Sequence, residues 1–273
     1  MKLDGLRITV IGAGAMGEAM IGGLLRHELV TPDQITATGP RSERRAELER
    51  RYGIHTTADN VAAARWGQVV IVSVKPQTLP KVLVELRGAL QEGELVISGI
   101  AGTPIRTFVE ELAHSAVVRS MSNTPAQIGE GMTVWTASAA VTEEQRGWAR
   151  MVLGSLGREL YVTDENYLDI ATAINGTGPG YFFMVMEAMI DAGVHLGLPR
   201  YMAHDLVLHT MLGSVRYAMQ SERHPAELRN AVTSPGGTTA AALYELERGG
   251  LRTVLTDAIW AAYRRSAELG KSK

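Results

Sequence analysis

Six residues near the amino terminus, Gly12-Ala13-Gly14-Ala15-Met16-Gly17, constrain this chain more than any other stretch. They follow the β-branched run Arg7-Ile8-Thr9-Val10-Ile11, which reads as a strand, and precede an apolar helical run at residues 18–29. Strand, G-x-G-x-x-G and helix is the order a dinucleotide-binding turn requires. The first glycine permits the tight turn and the second lets backbone approach a pyrophosphate. The third lets helix and strand pack closely, so that the helix N-terminus faces the phosphates. A glycine-rich turn without a ligand is the plainer alternative, and the flanking strand and helix favour the ligand.

Further strands are expected at residues 34–38, 68–74, 94–100, 116–121 and 131–137, with helices at 41–52 and 79–90 between the earlier ones. That alternation predicts parallel strands with crossover helices on both faces, a Rossmann-type doubly wound sheet over residues 1–163. With 273 residues, 45% apolar and 21% charged, the chain is long and apolar enough for two ordinary domains. A net charge of −2 without a basic block argues against nucleic acid as a partner. The complete lack of cysteine removes disulfides, thiolate metal sites and cysteine nucleophiles, and fits a cytoplasmic setting. Asp4, Arg7 and Glu18 interrupt the secretion-signal-like start, and Glu187 and Asp191 sit within the most apolar later run, so no membrane partner is expected.

The identity of the dinucleotide turns on the end of the second strand. Asp33 lies about 20 residues from the glycine motif, the spacing of a ribose-binding acid, but it precedes the strand instead of ending it. After the strand come Arg41, Ser42, Arg44 and Arg45. Guanidinium groups there suit a 2′-phosphate, with Arg41 and Ser42 best placed, so NADPH is preferred and NADH is the alternative. Some of these arginines are expected merely to solvate a helix. Lys75-Pro76 and the Ser98–Gly102 turn close later strands and should line the same cleft, since ligands lie beyond the carboxyl ends of such strands. Ser122-Asn123-Thr124-Pro125 reads either as a turn or as a nicotinamide contact.

From residue 164 the pattern becomes helical, which predicts an all-α domain over 164–273. The helix from Tyr181, with Met184, Met186 and Met189, is apolar nearly all round and must be covered on every side. About 110 residues in few helices would struggle to do so, so a partner subunit is expected; the alternative is the central helix of a monomeric bundle. His204 and His209 are five apart, about 140° round a helix, and no pair has metal-ligand spacing. No metal is expected.

Inside this helical half stands Ala231-Val-Thr-Ser-Pro-Gly-Gly-Thr-Thr239. It leads into the strong helix former at residues 240–247, so it sits at a helix N-terminus, where unpaired N–H groups and the dipole attract an anion. Charge-assisted hydrogen bonds contribute about 1.5–3 kcal/mol each, and micromolar-to-millimolar binding totals about 4–8 kcal/mol. Two or three such bonds would therefore hold a small carboxylate. The alternative, a threonine N-cap after a proline turn, needs only one hydroxyl. Residues 175–181, Asn-Gly-Thr-Gly-Pro-Gly-Tyr, would form a second wall.

Taken in order, IGAGAMG, VKPQ, NTP with GEGMT, GTGPGY, GLPR, VTSPGGTT and the run from Leu251 resemble the pyrroline-5-carboxylate reductases along essentially the whole chain. The resemblance implies reduction of L-1-pyrroline-5-carboxylate to L-proline, a Rossmann domain followed by a helical dimerisation domain, and homodimers that often assemble into decamers. It also implies an active site between the domains. Cofactor contacts would fall to Ile11, Gly12, Ala13, Gly14, Ala15 and Met16, to Arg41, Ser42 and Asn60, to Ser73, Val74, Lys75 and Pro76, and to Gly99, Ile100 and Ala101. Ser234, Gly237, Thr238 and Thr239 would hold the substrate carboxylate, with Thr239 also bonding the ring nitrogen as the catalytic residue. Four positions depart from the family pattern: Ser122 for proline, Asn175 for serine, Gly180 for alanine and Asn230 for aspartate. Related hydroxyacid reductases carry a lysine in the central helix. Residues 176–198 contain none, which favours an imine over an alcohol–ketone pair. A non-catalytic nucleotide sensor on the same scaffold is the remaining alternative.

Overall fold

A computed structural model describes Leu3 and residues 5–271; Asp4, invoked above as a break in the apolar start, lies outside them. The first half unfolds as β1 (Ile8–Ile11), α1 (Ala15–Arg26), β2 (Ile35–Thr38), α2 (Ser42–Tyr52), β3 (His55–Thr57), α3 (Asn60–Trp66) and β4 (Val69–Val72). It continues through α4 (Leu79–Leu86), β5 (Leu95–Ser98), α5 (Ile105–Leu112), β6 (Val117–Met121), β7 (Gly131–Ala137), α6 (Glu143–Gly154) and β8 (Gly157–Tyr161). The strands form one sheet in the order β3-β2-β1-β4-β5-β6-β7-β8. β1, β4 and β5 are buried at every residue, as strands covered by helices on both faces must be. One apolar cluster, holding Trp135, Met20 and Ile35, fills one face; a second, holding Phe108 and Leu79, fills the other.

The sheet departs from the all-parallel expectation at one point. β7 runs antiparallel to β6, pairing Val118 with Ala137, and β8 is parallel to β7. Only residues 122–130 join β6 to β7, too few for a crossover helix, so the chain must turn straight back.

Beyond the sheet come α7 (Tyr167–Ala171), a π turn over Thr172–Gly176, α8 (Gly178–His195), α9 (Arg200–Gln220), α10 (Pro225–Ala231), α11 (Thr238–Arg248) and α12 (Leu251–Lys271). The expected domain boundary at residue 163 differs from the division into compact units. The first unit runs on to Gly178 and takes in the chain again from Ala262; the second spans Pro179–Ala261. Residue 164 marks the onset of helix, but the sheet still holds α7. Buried Arg119 on β6 donates to Glu165 at 3.0 Å and to Asp169 at 2.8 Å.

The second unit has almost no core of its own. Among the described residues Ala203 and Val207 are its only buried apolar side chains. On α8, Phe183 is 59% and Met184 73% exposed, and Leu206, Val215, Met219 and Val254 are exposed on the neighbouring helices. Helices this apolar require a covering surface that one copy of the unit does not supply. No described helix is long and apolar enough to cross a membrane.

Candidate functional site

The G-x-G-x-x-G turn sits where the strand order reverses, between β1 and β4. Gly12 adopts φ +87°, the left-handed region that favours glycine, and donates to Thr38 Oγ1 at 3.2 Å. Ala13 donates to the Thr38 carbonyl at 2.9 Å, so the turn is hung on the end of β2. A Cβ on Gly12 would stand 2.5 Å from Val74 Cγ1, and one on Gly17 2.8 Å from the Gly12 carbonyl. A Cβ on Gly14 would meet nothing within 4 Å. Gly14 is also the N-cap of α1, without any side chain capping it, so the first N–H groups, those of Ala15 and Met16 included, face open space. Three glycines thus serve three purposes, and the open one is where a pyrophosphate needs access. The residues fit a dinucleotide.

The neighbouring strand ends complete the carboxyl edge. Ser73 N–H bonds the Ile11 carbonyl at 2.9 Å, which lays the Ser73–Pro76 turn along the glycine turn, with Lys75 exposed. Gly99 N–H bonds the Val72 carbonyl at 3.2 Å, bringing Gly99, Ile100 and Ala101 to the same edge. At the end of β2 the four expected side chains divide. Arg45 donates to the Gly39 carbonyl at 2.7 Å, and Arg44 is held by Glu18 and by Glu47 at 2.8 Å. Ser42 bonds Glu43, while Arg41 is exposed and its guanidinium forms no hydrogen bond or ion pair among the described residues. Asp33 lies in the short turn before β2, at the far end of that strand from the glycine turn. Asn60 opens α3 after β3 and donates to Glu85 at 3.1 Å.

An acid one turn into the phosphate-facing helix would ordinarily repel an anion, and Glu18 is such an acid. Arg44, Arg51 at 2.8 Å and the Tyr52 hydroxyl at 3.0 Å surround it. Partial burial alone would raise its pKa, but the bonds from Arg44 and Tyr52 and the two guanidinium charges together hold it below the ordinary 4.5. A group lowered on folding stabilises fully above its unfolded value and loses that contribution as pH falls through its folded one. Glu18→Gln is therefore expected to destabilise by about 1–2 kcal/mol at pH 7, less than a dry charged pair because water screens it. Urea melts of the two proteins should converge as the pH is taken down through that lowered value; a gap that persists once the carboxyl is protonated would show that its charge is not the source.

After β6 the polar side chains are spent on holding the chain. Ser122 Oγ and Thr133 Oγ1 bond at 2.8 Å. Asn123 Oδ1 accepts from Met132 N–H at 2.9 Å, and its Nδ2 donates to Asn175 Oδ1 at 2.8 Å. Asn175 Nδ2 in turn reaches the Met132 carbonyl at 2.8 Å and the Met121 carbonyl at 3.3 Å. The Asn123 side chain thus serves the turn reading, and two family departures, Ser122 and Asn175, are fastenings. Serine at 175 is too short to bridge both strands. Gly180 is exposed, and Asn230 accepts from Arg229 at 3.1 Å.

In the second unit, Ser234-Pro235-Gly236-Gly237 forms a turn closed by Gly237 N–H to the Ser234 carbonyl at 3.0 Å, with Gly236 at φ +69°. Proline second and a left-handed glycine third are the requirements of a type II turn. α11 follows, and its N-cap is Gly237, with no side chain capping it. A threonine N-cap is therefore not what the motif provides. Thr238 and Thr239 are the first helical residues, with N–H groups that no intrahelical carbonyl reaches. The hydroxyls of Ser234, Thr238 and Thr239 make no hydrogen bond among the described residues, and a Cβ on Gly237 would run into Ser234 Oγ. Donors converge here with nothing to donate to. Each set of expected site residues is assembled within its own unit, the cofactor set in the first and the Ser234–Thr239 set in the second.

Known proteins match both parts. A family model described as pyrroline-5-carboxylate reductase dimerisation matches residues 165–269, and one described as NADP oxidoreductase coenzyme F420-dependent matches residues 7–102. The pyrroline-5-carboxylate reductase of Pseudomonas aeruginosa is 41% identical over 266 residues, covering 97% of this chain and 97% of its own length. That of Synechocystis sp. is 38% identical, covering 97% and 99%. The crystal structure of Plasmodium falciparum pyrroline carboxylate reductase with NADP bound is similar with a TM-score of 0.90 at 29% identity, covering 98% of this chain and 99% of that one. The Coxiella burnetii pyrroline-5-carboxylate reductase structure gives 0.89 at 34% identity, again covering 98% and 99%.

Proposed function

This chain belongs to the pyrroline-5-carboxylate reductase family, and from that premise we propose that it reduces L-1-pyrroline-5-carboxylate to L-proline with NADPH, the closing step of proline biosynthesis. The observation that carries the reading is the set of donors at residues 234–239 that the protein itself leaves unused. The N–H groups of Gly237, Thr238 and Thr239 cannot all serve the fold: Gly237 is committed to its turn, and the other two point out of α11. We assign those two, with the Ser234 and Thr238 hydroxyls, to the substrate carboxylate. Two or three charge-assisted bonds of about 1.5–3 kcal/mol each suffice for micromolar-to-millimolar affinity.

When bound, NADPH supplies the hydride. The chain's own work is to hold and orient. The amides of Ala15 and Met16 and the open face of Gly14 suit the pyrophosphate, and Arg41 with Ser42 suits the 2′-phosphate. We assign the turns at Ser73–Pro76 and Gly99–Ala101, with Asn60, to the rest of the cofactor. An imine protonated on nitrogen accepts hydride without metal or covalent help, and the Thr239 hydroxyl is assigned to that nitrogen as the donor through which the proton arrives. A hydroxyacid reductase is disfavoured by the lysine-free stretch 176–198. We place the enzyme in the cytoplasm as a homodimer or, as in its family, a decamer of such dimers; the apolar face of the second unit supports the dimer.

Thr239→Val keeps the shape and removes the hydroxyl. Turnover followed by NADPH absorbance is expected to fall about 10- to 100-fold, the equivalent of one lost charge-assisted bond. Affinity for NADPH should stay within twofold. Unchanged turnover would remove Thr239 from the chemistry.

A further inference from the structure

α12 contributes to both compact units, and its final turns, from Ala262 onward, pack within the first. They end against the loop that follows β5. Gly102 adopts φ +68°, and a Cβ there would stand 2.6 Å from Leu269 Cβ and 3.2 Å from the Ser266 carbonyl. A Cβ on Gly270 would stand 2.9 Å from the Gly102 carbonyl. Two glycines facing each other let helix and loop touch backbone to backbone. The segment they touch is the direct continuation of Gly99-Ile100-Ala101.

An ionic pin secures the same junction. Ser266, 3% exposed, donates to Asp169 Oδ1 at 2.9 Å, and the same oxygen accepts from Arg119 Nη2 at 2.8 Å. Arg119, 4% exposed, also reaches Glu165, whose Oε1 accepts from Ile105 N–H at 2.8 Å. Loop 99–104 is therefore gripped on both sides, by Glu165 where it enters α5 and by Gly270 and Leu269 at its middle. A buried guanidinium with both carboxylates satisfied holds one geometry, because removing any partner leaves a charge unpaired in the interior.

We propose that the end of α12, through Gly102–Gly270 contact and the Ser266–Asp169–Arg119 pin, is a positioning element for the cofactor-binding loop Gly99–Ala101. This rests on the assignment of that loop to the cofactor. Ser266 and Gly270 touch no cofactor; they act through the loop's backbone, so their loss weakens nucleotide binding without altering the substrate's own contacts.

The test uses the full-length protein with Ser266→Ala and Gly270→Val, titrated with NADP+ by calorimetry and assayed with the imine. Both variants are expected to raise the NADP+ dissociation constant and the KM for NADPH fivefold or more. The KM for the imine and kcat at saturating NADPH should stay within twofold. Wild-type NADP+ affinity in both variants overturns the proposal. A parallel rise of both KM values with a lowered melting temperature overturns it too, since that is general loosening. Should Gly270→Val fail to fold, Ser266→Ala alone decides. Gly12→Val serves as the control: if it loses NADP+ while the two variants keep it, the positioning role fails and the cofactor reading stands. If the unaltered protein does not bind NADP+, the cofactor reading fails and the proposal with it.

Discussion

Gly12→Val is expected to weaken NADP+ binding more than 100-fold, a loss of about 2.7 kcal/mol or more. Two effects act at once. At φ +87° a β-branched residue is strained by roughly 1–2 kcal/mol or more. Its Cβ would also press 2.5 Å from Val74 Cγ1, forcing the Ser73–Pro76 turn away from the glycine turn, and overpacking of that kind costs about 1–3 kcal/mol. Gly14→Ala separates binding from folding. Gly14 has φ −75°, which alanine tolerates, and no atom lies within 4 Å of the added methyl. That variant should melt with the wild type yet lose NADP+ affinity about tenfold, because the methyl would stand at the helix N-terminus to which we assign the pyrophosphate. Calorimetric titration of both variants decides the matter. Full affinity in Gly14→Ala would move the nucleotide away from α1.

The second large effect concerns assembly. Phe183→Asp with Met184→Asp on α8 should turn the proposed dimer into a chain of 29.5 kDa by light scattering and lower its melting temperature by 10 °C or more. In a two-fold interface every substitution enters twice, so two aspartates place four carboxylates in an apolar contact. Each buried unpaired charge costs several kcal/mol. Single domains have about 5–15 kcal/mol of stability to lose. The second unit buries only Ala203 and Val207 by itself, so separation and unfolding are expected together. A variant that stays dimeric and melts normally would place the subunit contact on other helices.

What was legible in the sequence depended on how strongly each segment declared itself. The glycine turn, β1, β4 and β5 were readable because buried parallel strands are unbroken β-branched runs. β3 was missed because His55-Thr56-Thr57 has no apolar residue, and β8 because Gly157-Arg158-Glu159-Leu160-Tyr161 is a half-exposed strand at the sheet's end. α6 does carry a local signal: Thr142 and Gln145 form a capping box, visible as T-x-x-Q. The roles of the arginines after β2 depended on Glu18 and Gly39, partners that no local pattern reveals. Asn175 was recognised as a departure, but that it laces two strands together depends on carbonyls more than 40 residues away.

The first compact unit is discontinuous: it is interrupted at Gly178 and resumes at Ala262. A growing polypeptide therefore emerges with most of its helical insertion ahead of the segment that finishes the nucleotide-binding unit. Ser266 and Gly270 meet residues that left the ribosome some 100 to 170 positions earlier, a late closure across a long loop. Maturation of the sheet unit and emergence of its sticky insertion are thus ordered in time, with the insertion first.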